Sequence, residues 1–202
     1  MCSSSVRGGG ADASGSAAGR RGALECPAMD STEIADRLAI AETLALYCRG
    51  IDRCDPAQLA AAFTPEAMID YGDGARRVTE AIPALMAGLR AMRLTQHNIS
   101  NTIMRIAGKT ARAETHCVAL HIMPGAGGEG EIEVVVGGRY LDRLERRDGR
   151  WLIAERLYVM DWNSTRPASM AISGGLFEGL KRRSARGAAD PAAAWWAAAG
   201  EG

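Results

Sequence analysis

Chemistry in this sequence can come from two places: three histidines, His97, His116 and His121, and one crowded polar stretch. The stretch, "LYCRGIDRCDP" from Leu46 to Pro56, holds Tyr47, Cys48, Asp52, Cys54 and Asp55 at the end of an apolar helical pattern. Cysteines beside charges suggest a metal or redox motif. The chain has five cysteines, however, an odd number with no C-x-x-C pair, so neither a zinc knuckle nor a disulfide framework follows. Cys48 and Cys54 are read as packing residues, and reduced thiols point to a cytoplasmic setting. His116 and His121 lie five apart on an expected strand, hence on opposite faces, and cannot jointly chelate a metal. No metal and no cofactor are expected. An aspartate hydrogen-bonded to one imidazole nitrogen would fix the tautomer and leave the other nitrogen as a base near neutral pH. On residue type alone, Asp52 reads equally well as a helix end and Tyr47 as a core side chain.

The elements that must position these groups begin at "MDSTEIADRLAIAETLALYCRG". Asp30 with Glu33 is a capping-box pattern, and Ile34, Leu38, Ala41, Ala45 and Cys48 recur at helical spacing, widened by Ile40, Leu44 and Tyr47. Gly50 is the expected stop. A second helix starts at Asp55 as N-cap with Pro56 in the first position. "AMIDYG" is a short strand, and Thr79 caps a third helix that carries Pro83 in its first turn. From Thr95 the pattern turns to strands. "QHNISNTIMRI" and "ARAETHCVALHIM" form a hairpin; "IEVVVGGRYLDRLER" and "WLIAERLYVMDW" form another, closed by Asp148-Gly149. In "QHNISN", alternation puts His97, Ile99 and Asn101 on one face, a polar pair aimed into a partly apolar space. The loop "GAGGEG" joins two strands and leads into no helix, so it is a hairpin loop and not a phosphate cradle. Helices followed by long antiparallel strands define an α+β fold, not a βαβ alternation.

At 202 residues the chain suits one domain, expected over 29–163. Residues 1–28 read as a low-complexity, disordered leader and 164–202 as a tail, partly helical or disordered. In that tail, Trp195-Trp196 can cover an apolar opening or a subunit contact, and Lys181-Arg182-Arg183 with Arg186 read as a solvated helix face. Twenty-four basic residues balance 24 acidic ones, so no overall field favours nucleic acid. No apolar run approaches the roughly 18 residues of a membrane span.

Three segments in order carry a resemblance: "DRLAIAETLALYCRGIDRCDPAQLAAAFTPEAMIDYG", "TQHNISN" and "GGRYLDRLERRDGRWLIAERLYVMDW". Together, over about residues 30–163, they resemble the SnoaL-like branch of the nuclear transport factor 2-like superfamily. The resemblance implies a cone: a strongly curved, mostly antiparallel sheet wrapped around three N-terminal helices, with a pocket inside. Within the branch the chain is most similar to the group of scytalone dehydratase, bile-acid dehydratase and hexachlorocyclohexane dehydrochlorinase. These are cofactor-free lyases that use an Asp–His pair to remove a proton while a leaving group departs. By that resemblance Asp52 and His97 are the pair, Tyr47 polarises a carbonyl or assists the departing hydroxyl, and Arg139 stabilises developing negative charge. Asn101, His121 and His116 are the implied substrate-binding residues, with either His116 or His121 facing the pocket. The implied ligand is a small hydrophobic, cyclic molecule, and the implied assembly a homodimer or homotrimer. Two other functions fit the same fold: a non-catalytic binding or assembly module, such as a dioxygenase small subunit, and a polyketide cyclase or ketosteroid-type isomerase.

Overall fold

The computed structural model describes residues 28–128, 130–171 and 173–199. The leader expected over 1–28 lies, apart from its last residue, outside the described residues. Helix α1 (Ser31–Asp52) opens where the capping pattern puts it, with the Asp30 carboxylate accepting from the Glu33 N–H at 2.8 Å. Its buried side differs from the expected stripe. Ile34 and Leu38 are exposed, and Ile40, Leu44, Tyr47 and Ile51 face the core. Two polar residues on that inner side, Asp36 and Thr43, obscured the periodicity. Both are satisfied by Trp151: its indole N–H donates to Asp36 at 2.9 Å, and its carbonyl accepts from the Thr43 hydroxyl at 2.7 Å.

Gly50 does not stop the helix. A Cβ at Gly50 would lie 2.9 Å from the Leu59 backbone nitrogen, so glycine is there to let α2 (Pro56–Ala61) cross closely. The helix therefore runs on to Asp52, which sits in its last turn. Cys54, at φ +50°, makes the left-handed reversal that glycine usually makes at a helix end. Asp55 caps α2 as expected, accepting from the Gln58 N–H at 3.0 Å. The Gln58 side chain donates to the Leu46 carbonyl at 2.9 Å, tying α2 to α1.

Strand β1 (Phe63–Asp70) starts earlier than "AMIDYG", and is followed by the short β2 (Arg76–Arg77). Helix α3 (Val78–Ala91) begins before Thr79, because Val78 is already buried in the core; Arg77 is its N-cap, and Pro83 lies inside the helix. The long strands are β3 (Leu94–Ala107), β4 (Thr110–Pro124), β5 (Glu131–Arg147) and β6 (Arg150–Pro167). One six-stranded sheet results, in the order β2-β1-β6-β5-β4-β3, antiparallel except where β1 runs parallel to β6. Asp148 and Gly149, both at positive φ, turn the β5–β6 hairpin.

Register shifts at Ser100/Ile103 and Gly137/Gly138 bend the sheet, as bulges do. The fold is α+β, a curved mixed sheet with the helices against its inner face. Between them lies the core, including Ile40, Leu44, Leu59, Ile69, Met86 and Ile153. The basic run of the tail is not helical. A 3₁₀ turn at Gly175–Phe177 precedes it, and helix α4 (Pro191–Ala199) follows. Trp195 and Trp196 pack edge to face on each other and are exposed. Among the described residues no helix is long and apolar enough to cross a membrane.

Candidate active site

Asp52 and His97 meet at the inner end of the helix layer. Asp52 Oδ1 lies 2.7 Å from His97 Nδ1, and Asp52 Oδ2 accepts from the His97 backbone N–H at 2.9 Å. Both carboxylate oxygens are thus committed to one residue, which fixes ring position as well as tautomer. A carboxylate at Nδ1 favours the neutral tautomer with its proton on Nδ1 and its lone pair on Nε2. His97 also lines a cavity of about 530 Å³, whose walls include Tyr47, Tyr71, His121, Tyr140 and Tyr158. The remaining lining is chiefly apolar, from Ile51, Ile69, Leu85, Leu89, Met92 and Val136. A polar set converging in an apolar concavity is the usual form of a small-molecule site.

Tyr47, one turn and a half before Asp52 on α1, is buried, with its hydroxyl 2.6 Å from that of Tyr71. Beneath it lies Arg156 of β6, which has no exposed side-chain surface. Its guanidinium carbon sits 3.9 Å from the Tyr47 ring centre and 4.0 Å from that of Tyr140, a cation between two π faces. Asp142 holds the same guanidinium through two bonds of 2.7 Å, a fork-on-carboxylate pair that keeps it charged in spite of burial. Burial pushes the phenol of Tyr47 up, against the opposing pull of Arg156, and pushes Tyr71 and Tyr140 well up. These hydroxyls are therefore protonated donors at neutral pH. The Cys48 thiol is pushed up to about 12 by burial, which fits its reading as a packing residue.

Alternation on β4 sorts the remaining histidines. Cys117, Ala119 and His121 point inward, and His121 stands perpendicular to His97 with ring centres 5.5 Å apart. Burial, then the neighbouring His97, lowers its pKa. His116 is exposed on the outer face and does not reach the cavity.

Two further expectations are corrected. Arg139 also lies on the outer face, bonded to Asp161 at 3.0 Å and to Glu114 at 3.3 Å, so it is not in position to act on a cavity ligand. Asn101, at φ +49° in the β3 bulge, is exposed: the bulge reverses the alternation after Ile99 and turns it away from His97. Arg156, Tyr71, Tyr140 and Tyr158 were missed. A signal for Arg156 existed, because Asp142 and Arg156 are direct cross-strand partners in the hairpin that Asp148-Gly149 closes. Trp195 and Trp196 do not line the cavity. Among the described residues no three His, Cys, Asp or Glu side chains cluster as metal ligands would.

A curved mixed sheet closing over helices around a cavity, with Asp52 and His97 paired at its wall, is the architecture of this chain. The model of the SnoaL-like domain matches residues 32–157, well over half of the chain, and the protein belongs to that family. No curated protein sequence matches it. Among solved structures it is similar to the Kfla4162 protein of Kribbella flavida, at 22% identity and TM-score 0.60 over 65% of this chain and 94% of that one. It is likewise similar to a candidate scytalone dehydratase of Novosphingobium aromaticivorans, at 20% identity and TM-score 0.60 over 71% and 99%. A type 2 hexachlorocyclohexane dehydrochlorinase matches at 20% identity and TM-score 0.60, over 70% and 95%. At these identities the likeness is one of fold.

Proposed function

We propose that the protein is a cofactor-independent lyase, of dehydratase or dehydrohalogenase type, acting on a small, mostly apolar cyclic molecule. The observation that carries this reading is the double engagement of Asp52 with His97 at the wall of a largely apolar cavity that also presents tyrosine hydroxyls and His121. In the proposed step, His97 Nε2 takes a proton from a carbon next to an activating group. The electron pair of that C–H bond forms the new double bond as hydroxide or halide departs. A departing hydroxyl needs a proton; the Tyr47–Tyr71 hydroxyl pair, 2.6 Å apart at the cavity wall, would lend it and be reprotonated from solvent as His97 releases the proton it took. Arg156, behind Tyr47, supplies a fixed positive charge that favours negative charge developing on that phenol or on a carbonyl it holds. Asp52 stabilises the imidazolium that forms. Relatives of this fold that bear dehydratase and dehydrochlorinase names support the reaction class.

The test is a screen of hydroxylated and halogenated cyclic compounds, with products read by mass. A lyase product lacks water or hydrogen halide; a cyclase or isomerase product keeps the mass, and a binding module gives no product. On a substrate so found, His97→Ala should lower turnover by about 10²–10⁴-fold, the worth of a positioned base, with the circular-dichroism spectrum unchanged. Wild-type turnover in both His97→Ala and Asp52→Ala would rule the mechanism out.

A further inference from the structure

We propose that the segment 183–190 is a strap that positions the Asp52–His97 pair, with Arg186 as its principal positioning residue. The inference deepens the proposed function and rests on that reading of the pair.

The strap is fastened to the two helix ends that flank Asp52. On the α1 side, the Gly187 N–H donates to the Arg53 carbonyl at 2.7 Å, and the Arg53 guanidinium donates to the Ser184 hydroxyl at 2.8 Å. Asp190, itself buried, lies 3.7 Å from Arg53 Nε and folds the strap on itself by accepting from the Ala185 N–H at 3.1 Å. Arg186 bridges the two sides: one guanidinium nitrogen donates to the Cys54 sulfur at 2.7 Å and to the Leu89 carbonyl in the last turn of α3. Each of these residues adjoins the site. Arg53 and Cys54 follow Asp52 directly, and Leu89 lines the main cavity.

Two features show why Asp52 needs a brace. Both of its carboxylate oxygens bond to His97, so neither ties the side chain back to its own helix. Beside Asp52 lies a small cavity of about 70 Å³, lined by Arg53, Arg93, Leu94 and Thr95 and, from the strap, by Arg183, Ser184, Ala185 and Arg186. The second feature is the reversal at Cys54, where a residue other than glycine is held at φ +50°. Such a conformation persists only when its surroundings over-determine it, and Arg186 grips the side chain of that residue. The chain thus closes over the back of the pair from a region outside the helices and sheet that carry it.

The experiment follows the His97 Nδ1–H proton by NMR in the ¹⁵N-labelled full-length protein. Arg186→Ala and, separately, Asp190→Ala should speed its exchange with solvent by about tenfold or more, as local opening becomes easier. Arg186→Lys, which retains a donor, should recover part of the protection. Arg182→Ala, at an exposed side chain just before the strap, should leave exchange at the wild-type rate. Wild-type exchange in both Arg186→Ala and Asp190→Ala would overturn the proposal. If Arg186→Ala does not fold, Asp190→Ala decides, because it removes the ion pair to Arg53 and the bond from the Ala185 N–H without touching Cys54 or Leu89. The readout needs no substrate. Lost protection with no lyase activity in the wild type would keep the strap and reject the lyase; unchanged exchange with an active wild type would do the reverse.

Discussion

Arg139 and Arg156 lie on neighbouring strands of one sheet, yet they are opposites. Arg156 faces inward, has no exposed side-chain surface, and is clamped by Asp142 between two tyrosine rings. Arg139 faces outward, with side-chain exposure of 30%, and shares its charge between Asp161 and Glu114 in contact with water. Residue type is the same in both places. What differs is the face of the pleat, and with it the dielectric, the partner geometry and the cost of losing a partner. On the inner face of this sheet a charge is held in one direction by its carboxylate and ring partners, whereas on the outer face it is shared with water.

The sharpest way to break this contrast is to remove one partner on the inner face. Asp142→Ala leaves Arg156 charged, buried and uncompensated, and should cost about 3–5 kcal/mol of folding stability, measured by denaturant unfolding. A loss near zero would mean that the inner face is wetter than described.

A smaller effect comes from His121, the inward histidine, whose pKa lies below its ordinary value of 6.5 through burial and the nearby His97. As pH falls through 6.5 the unfolded chain takes up this proton before the folded one does. In that window the unfolded state binds more protons, so stability rises with pH and falls on acidification. Replacing His121 by Asn should flatten the loss of stability between about pH 7.5 and 5. An unchanged slope would show that His121 is hydrated.

The smallest effect should be that of Arg139→Ala, which removes exposed ion pairs that contribute little. Its unfolding midpoint and its turnover on any substrate found should match the wild type. A loss of activity with the fold intact would return Arg139 to the site and erase the contrast between the faces.

The sequence revealed unequal parts of this molecule, for physical reasons. Helix starts were legible because Asp30 and Asp55 cap by local hydrogen bonds, and the hairpin turn at Asp148-Gly149 because left-handed backbone favours those residues. The α+β order followed from the change of period between α3 and β3. Asp52 and Tyr47 were legible only through the family resemblance, since their partner His97 is 45 residues away and no spacing rule joins them. Arg139 was named through the family resemblance alone, and "RYLDRL" mixes polar and apolar residues on both faces, so period two gave no check on whether it points inside or outside. Asn101 was misplaced because one bulge residue inverts every later assignment, although Asn is itself a residue that tolerates left-handed backbone. Gly50 was read as a stop because its true neighbour, Leu59, is brought to it by the turn through Cys54. The Gly50 miss is a contact between elements and the Asn101 miss a break in one strand's alternation, and a local periodic pattern contains neither.

The central claim is that Asp52 holds the His97 proton on Nδ1 and leaves Nε2 as a free base at the cavity. The ¹⁵N chemical shifts of the His97 ring in the neutral state measure this directly. The expected result is a protonated Nδ1 and an unprotonated Nε2, with the assignment lost or mixed in Asp52→Ala. A neutral His97 carrying its proton on Nε2 in the wild type would contradict it.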